Sequence, residues 1–181
     1  MDWSTFYLGL AGAAATVTGL LFIAVQINMD TLVSGIGERS SAIARATFTL
    51  FALLVVLPLI YLIPGINLKG QAIFTVLVSG FGIVRVLRSW LPAWTSMIRR
   101  GVRERLWETA WLLIAPIIVY AFIIYNSYGL LTLDQSAQTI LQTNIAICLV
   151  GLFSIALRNS WNLIFEATYQ RKRENLQSGP K

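Results

Sequence analysis

The stretch WSTFYLGLAGAAATVTGLLFIAVQINMD, residues 3–30, decides the fold class of this protein. It contains no charged residue before Asp30. A helix needs about 20 apolar residues to cross the roughly 30 Å of hydrocarbon in a bilayer. The stretch therefore predicts a transmembrane helix, and the rest of the chain repeats the same kind of pattern.

Small and polar residues form a line along one side of this predicted helix. Steps of four and three residues give the small-residue stripe, which consists of Thr5, Gly9, Gly12, Thr16, Gly19, Ile23, Gln26 and Asp30. A spacing of about 3.5 residues is typical of a helix that packs lengthwise against partner helices. Two interpretations stay open, because the stripe fits either a close helix contact or the lining of a pore.

Four further apolar stretches follow along the chain. The predicted spans are residues 3–30, 43–63, 72–90, 107–125 and 140–158. We expect an all-α fold, a polytopic transmembrane helical bundle of five spans, with residues 1–181 forming a single domain. Pro58 and Pro116 lie inside the second and fourth spans, where membrane helices tolerate proline, and Pro64 with Gly65 ends the second span.

The composition agrees with a membrane protein and argues against most enzyme chemistry. Hydrophobic residues make up 56% of the chain and charged residues 12%, about half the roughly 25% of an ordinary soluble domain. The chain has no histidine and one cysteine, Cys148, so it cannot build a Cys/His metal site, a Ser–His triad or an internal disulfide. We expect no enzymatic activity, no catalytic residue, no metal site and no cofactor.

The net charge of +6 is carried by short basic segments next to apolar spans, which favours orientation signals over nucleic-acid binding. With five spans and the N-terminus outside, Lys69 is the only one of the 14 Lys and Arg residues on the outer side. Positive charge accumulates on the cytoplasmic side of membrane proteins. The charges therefore predict an outer N-terminus and a cytoplasmic C-terminus.

The residues between the third and fourth spans, 89–106, combine tryptophans with arginines. Their basic residues are Arg99, Arg100, Arg103 and Arg105. This mixture predicts a helix that lies in the membrane interface, begins at Pro92 and is attracted to anionic lipid. Residues 167–181 form a second basic segment, the C-terminal tail.

Asp30 and Gln26 lie one helical turn apart at the cytoplasmic end of the stripe. If several copies of the first helix surrounded an axis, Asp30 would form a carboxylate ring that concentrates cations. Alternatively, Asp30 pairs with an arginine at a similar depth, which would neutralise two charges that are costly near hydrocarbon. The candidate partners are Arg85, Arg88 and Arg158.

A resemblance enters with the runs AGAAATVTGLLFIAVQIN, residues 11–28, and RATFTLFALLVVLPLIYLIPG, residues 45–65. Together they resemble a family of small multi-pass bacterial inner-membrane proteins without an established biochemical role. The resemblance covers the first third of the chain. It implies a location in the bacterial inner membrane, and the description of some such proteins as modulators of a membrane-bound protease implies a regulatory role.

Two hypotheses about function follow. The first is a homo-oligomeric ion channel or small transporter whose pore is lined by the first helix. The second is a non-catalytic adaptor or regulatory subunit that docks a larger membrane complex or anionic lipid. Under both hypotheses the chain associates with other helices through its helix faces, because it has little surface outside its apolar spans.

Overall fold

The structure is a computed structural model that describes the backbone of residues 3–27, 38–100, 106–132 and 135–177. Side chains are described for residues 3–27, 44–89, 114–132, 137–162, 164 and 165. The described residues form five α-helices: α1 (Trp3–Ile27), α2 (Glu38–Leu62), α3 (Leu68–Arg100), α4 (Leu106–Thr132) and α5 (Gln135–Gln177). Each is long and apolar enough to cross a membrane, as the sequence predicts.

Consecutive helices run antiparallel, as contacts between side chains show. Tyr7 near the start of α1 stacks on Tyr61 near the end of α2, and Tyr61 is hydrogen-bonded to Thr75 in the first half of α3. At the same end of the bundle, Asn126 of α4 is hydrogen-bonded to Asn144 of α5. We call this end of the bundle the Lys69 end and the opposite one the Arg45 end.

The second helix, α2, lies at the centre of the bundle. It packs against α1, α3 and α5, and its apolar stretch is the most buried of the five. Phe51 of α2 meets Phe153 of α5 edge to face, with ring centroids 6.3 Å apart. In contrast, α1 is the least buried span and contacts mainly α2, with fewer contacts to α5.

The link between α2 and α3 is built from residues suited to a tight turn. Helix α2 ends at Leu62, and Gly65 has a positive φ of 80°, a conformation that costs other L-residues roughly 1–2 kcal/mol. The side chain of Asn67 then caps α3, because its Oδ1 accepts a hydrogen bond of 2.8 Å from the backbone N–H of Gly70. The predicted end of the second span at Pro64 and Gly65 agrees with this turn.

Side chains of α2 and α4 pack closely against α3 at Gly82. A Cβ atom at this position would lie 2.8 Å from Cδ1 of Leu53 and 2.9 Å from Cζ of Tyr120. Both neighbours are buried. The absence of a side chain at Gly82 therefore allows the Tyr120 ring to pack directly against the α3 backbone.

Helix α4 contains the predicted fourth span and continues beyond its end. The span is predicted at 107–125, and the helix runs from Leu106 to Thr132. Asn126 and Ser127, which follow the predicted end, are both buried. Polar side chains that find partners inside a bundle do not have to lie at its membrane surface.

Helix α3 also continues past its predicted end at residue 90. It runs through Pro92 to Arg100 without a break. The prediction that Pro92 begins a separate helix is therefore wrong. The rest of the predicted interfacial segment, residues 101–105, lies outside the described residues. Helix α5 similarly continues beyond the predicted end of the fifth span at residue 158, as far as Gln177, so most of the basic tail extends this helix.

Candidate functional site

The small-residue stripe lies on the outside of the bundle. All of its members with described side chains are exposed, namely Thr5, Gly9, Gly12, Thr16, Gly19, Ile23 and Gln26. The other face of α1 packs inward through Tyr7, Ala11, Ala14 and Leu21. The sequence does not distinguish these two faces, because α1 has small residues on nearly every side. The structure shows which face packs inward.

The glycines of the stripe have open space beside them. A Cβ atom added at Gly9, Gly12 or Gly19 would meet no atom of the described residues within 4 Å. The Thr16 hydroxyl donates a hydrogen bond of 2.9 Å to the carbonyl oxygen of Gly12 in its own helix. The three glycines of the stripe therefore make no close contact with the part of the chain that the structure describes.

The predicted charge pairing lies partly outside the described residues, because Asp30 is not among them. The three candidate partners Arg85, Arg88 and Arg158 are exposed and lie towards the Arg45 end of the bundle. The Arg85 guanidinium carbon is 6.0 Å from the centroid of the Phe81 ring, at the outer limit of a cation–π contact. The structure thus places the three arginines at the same end as Gln26.

The predicted lipid-facing arginines have no described side chains. Arg99 and Arg100 occupy the last turn of α3, while Arg103 and Arg105 lie outside the described residues. Among the described residues, no group of three or more His, Cys, Asp or Glu side chains is placed to hold a metal ion.

A polar cluster inside the Lys69 half of the bundle is absent from the sequence predictions. The hydroxyls of Tyr61 and Thr75 are hydrogen-bonded at 3.1 Å, and the Thr75 hydroxyl is also 2.8 Å from the Gln71 carbonyl oxygen. The side-chain amide of Gln71 donates to the carbonyl oxygen of Tyr61 at 3.5 Å. These contacts join the end of α2 to the start of α3.

An asparagine pair joins α4 to α5 in the same half of the bundle. The Asn144 amide donates a hydrogen bond of 3.0 Å to Oδ1 of Asn126, and the Asn126 amide donates one of 2.7 Å to the carbonyl oxygen of Phe122. Asn126 is almost completely buried. The pair links two helices through side chains that an apolar core would otherwise exclude.

Four buried hydroxyls in the described part of the bundle have no hydrogen-bond partner: Tyr7, Ser79, Tyr120 and Ser127. Each is at most 2% exposed. We call these four residues, together with Tyr61, Gln71, Thr75, Asn126 and Asn144, the polar seam. The sequence signal for it is faint, and consists of Gln71, Thr75 and Ser79 at spacings of four residues in an apolar span.

Comparison with known protein families, with characterised proteins and with solved structures finds no match. The resemblance of residues 11–28 and 45–65 to small bacterial inner-membrane proteins therefore stays a prediction.

Proposed function

We propose that this protein is a homo-oligomeric ion channel or small transporter of the bacterial inner membrane, in which α1 of each copy faces a common axis and lines the pore. The observation that carries the proposal is the exposure of the small-residue stripe on the outside of the bundle. The stripe holds three glycines that pack against nothing in the described chain.

Glycine is an unfavourable residue on a helix face that contacts only lipid. In a helix interior it is roughly 0.8–1.0 kcal/mol less favourable than alanine, and lipid tails would pack equally well against alanine or leucine. Glycine is useful where a second backbone approaches closely, because helices in membranes associate largely by van der Waals packing of small residues. The stripe therefore favours contact with a helix outside this chain.

A second copy is the partner that the stripe favours, since identical stripes around a symmetry axis are complementary to one another. Gln26 lies at the Arg45 end of the stripe, and Asp30 follows it by four residues in the sequence. In a closed ring of copies, Asp30 would supply one carboxylate per subunit, and such a ring attracts cations and repels anions. In the proposed pore, the small residues thus bring neighbouring α1 helices close together around the axis and border a narrow path between them, and Asp30 gives this path an acidic mouth.

The proposed orientation places the Lys69 end outside and the Arg45 end in the cytoplasm. Exposed arginines of three different helices lie towards the Arg45 end, namely Arg45, Arg85, Arg88 and Arg158. This distribution supports an outer N-terminus by the positive-inside rule. It also supports contact with anionic lipid headgroups, to which Arg99, Arg100, Arg103 and Arg105 would contribute.

Cysteine cross-linking tests the arrangement of α1. The native Cys148 is buried, and its replacement by alanine gives a background without thiols. In that background, Gly12→Cys is expected to form disulfide-linked dimers in native membranes, whereas Ala14→Cys, on the buried face of the same helix, is not. Equal cross-linking at both positions, or at neither, would contradict the proposal.

Ion flux into proteoliposomes tests the pore itself. Gln26→Ala and Asp30→Ala are expected to change flux while the oligomer stays intact, and Gln142→Ala on α5 serves as the control. Unchanged flux in both variants would refute the pore. If Gly12→Cys instead cross-links to a protein of a different sequence, the stripe is a docking surface and the chain is a non-catalytic adaptor or regulatory subunit of a larger membrane complex.

A further inference from the structure

One line of side chains on α2 is exposed, although α2 is the most buried span of the bundle. Helices α1, α5, α4 and α3 follow one another around α2, and each contacts the next. Contacts between α1 and α3 are at most marginal in the described part of the chain. The exposed side chains of α2 therefore lie in the gap between α1 and α3. From the Arg45 end they are Arg45, Ala52, Val56 and Leu59.

This line is recessed between the two neighbouring helices. Val56 and Leu59 are each 43% exposed, whereas Leu20 of α1 and Leu77 of α3 are 61% and 63% exposed. We call Ala52, Val56 and Leu59, with the flanks of α1 and α3 beside them, the α2 furrow. Its floor is apolar and narrow, which suits a linear apolar chain.

Arg85 lies on the flank of α3 that borders the furrow. Gln71, Val78 and Arg85 follow one another at steps of seven residues, so they lie on nearly the same side of α3. The Gln71 amide donates to the carbonyl oxygen of Tyr61 in α2, and Val78 packs partly against the core. This side of α3 is therefore the side next to α2, and on it Arg85 is exposed.

The charge of Arg85 lies at a depth where membranes contain hydrocarbon. Arg85 follows Lys69, at the start of α3, by about 24 Å at 1.5 Å per residue. In a hydrocarbon layer of about 30 Å, its Cα atom would lie about 6 Å inside the boundary at the Arg45 end. The guanidinium carbon is 6.0 Å from the ring centroid of Phe81, one turn nearer the Lys69 end. The charge is thus directed into the layer and requires an anionic partner there.

The described side chains do not supply this anion. The charged residues among them are all basic, namely Arg45, Lys69, Arg85, Arg88 and Arg158. A lipid phosphate suits a guanidinium, because its oxygens can accept two parallel hydrogen bonds from the planar group. The ammonium of a zwitterionic lipid would find no acidic partner among these side chains. The distribution of charge therefore favours a lipid with a net negative headgroup.

We propose that the α2 furrow binds one anionic phospholipid of the leaflet at the Arg45 end, with its phosphate hydrogen-bonded to Arg85 and one acyl chain along the furrow floor. Leu53 of α2 lies beside Gly82, so Arg85 is level with about Leu50. From there to Leu59 is about 14 Å at 1.5 Å per residue, close to the half of a roughly 30 Å layer that one leaflet fills. The site lies within one chain and goes beyond the proposed pore.

Native mass spectrometry tests the headgroup contact on the intact protein, purified in detergent with equal amounts of phosphatidylglycerol and phosphatidylcholine. We expect each subunit to retain phosphatidylglycerol in preference to phosphatidylcholine. Arg85→Gln removes a charge-assisted hydrogen bond, so it should lower the affinity for phosphatidylglycerol by about tenfold or more. Arg158→Gln, exposed on α5, is the matched control and should retain the lipid. Equal loss in both variants, or equal retention of both lipids, would overturn the proposal.

Ala52→Trp tests the acyl-chain contact without changing any charge. Ala52 is exposed, so the fold can accept tryptophan, but the larger side chain would fill the furrow floor and displace the lipid. Ala121→Trp, at an exposed position of α4, should retain it. Retention by Ala52→Trp would overturn the proposal.

The same spectra report the number of subunits separately from the bound lipid. A monomer that selectively retains phosphatidylglycerol would refute the pore and support the furrow site. If Arg85→Gln instead dissociates an oligomer without changing lipid retention, Arg85 pairs with a second copy of the chain, and the furrow site is overturned.

Discussion

The ring of Tyr7 in α1 stacks on the ring of Tyr61 in α2, with centroids 4.6 Å apart and planes only 15° from parallel. Tyr7 is 2% exposed, whereas most of α1 faces away from the bundle. This stack therefore fixes the start of the most peripheral helix to the most central one. It also sets which side of α1 faces outward.

We expect Tyr7→Ala to loosen α1 from the bundle. The variant loses an aromatic pair worth about 0.5–1.5 kcal/mol beyond its buried area, so the melting temperature in detergent should fall. Phe22→Ala on the same helix is the control, because Phe22 is 54% exposed and its loss should change the melting temperature little. An equal decrease in both variants would show that α1 is not fixed at Tyr7.

The hydrogen bond between Asn126 and Asn144 should couple α4 to α5 energetically. In membrane proteins such interhelical bonds contribute about 0.6 kcal/mol on average and up to about 1.7 kcal/mol. A double-mutant cycle with Asn126→Ala and Asn144→Ala measures this coupling from the free energy of unfolding. Thr143→Ala is the control, since the Thr143 hydroxyl donates to Thr139 within its own helix. If Asn126 were coupled to Thr143 as strongly as to Asn144, the hydrogen bond between the two asparagines would be contradicted.

Gly82→Ala should destabilise the bundle because the new methyl group would lie 2.9 Å from Cζ of the rigid, buried Tyr120 ring. Overpacking of this kind costs typically about 1–3 kcal/mol. Gly80→Ala is a matched control in the same helix, because a Cβ there meets no atom within 4 Å. Thermal unfolding should show a lower midpoint for Gly82→Ala, and an unchanged or higher one for Gly80→Ala. A lower midpoint for Gly80→Ala than for Gly82→Ala would contradict the close packing of Tyr120 against Gly82.

Gly12→Leu should separate assembly from folding. The position has no neighbour within 4 Å in the described chain, so the folded subunit can accept leucine, while an approaching second helix cannot. We expect native mass spectrometry to show loss of the oligomer, with an unchanged melting temperature of the subunit. Ala121→Leu, at an exposed position of α4, should leave the oligomer intact. An intact oligomer in Gly12→Leu would place the contact elsewhere.

The apolar spans were predictable because length and hydropathy decide membrane insertion before any tertiary contact forms. The direction in which the stripe faces is not predictable in this way. Lipid and protein interiors are equally apolar, so a face of glycines suits either a helix of the same chain or a helix of another chain. Only the placement of Tyr7 and Ala14 on the inner face resolves which side of α1 meets the bundle.

The polar seam is not predictable from the sequence for a related reason. The residues that pair within it lie far apart along the chain. Asn144 is 18 residues away from Asn126, and Thr75 is 14 residues away from Tyr61. Such pairings depend on how helices rotate against one another, which the periodicity of a single helix does not determine.

The length of α5 has a practical consequence for imaging. The helix continues from the predicted end of the fifth span at residue 158 to Gln177, a rod of about 28 Å at 1.5 Å per residue. A soluble helical protein fused in register to this rod would turn rigidly with the subunit. The fused protein would be a visible marker outside the membrane particle. The number of subunits could then be counted, and their symmetry seen, directly in images.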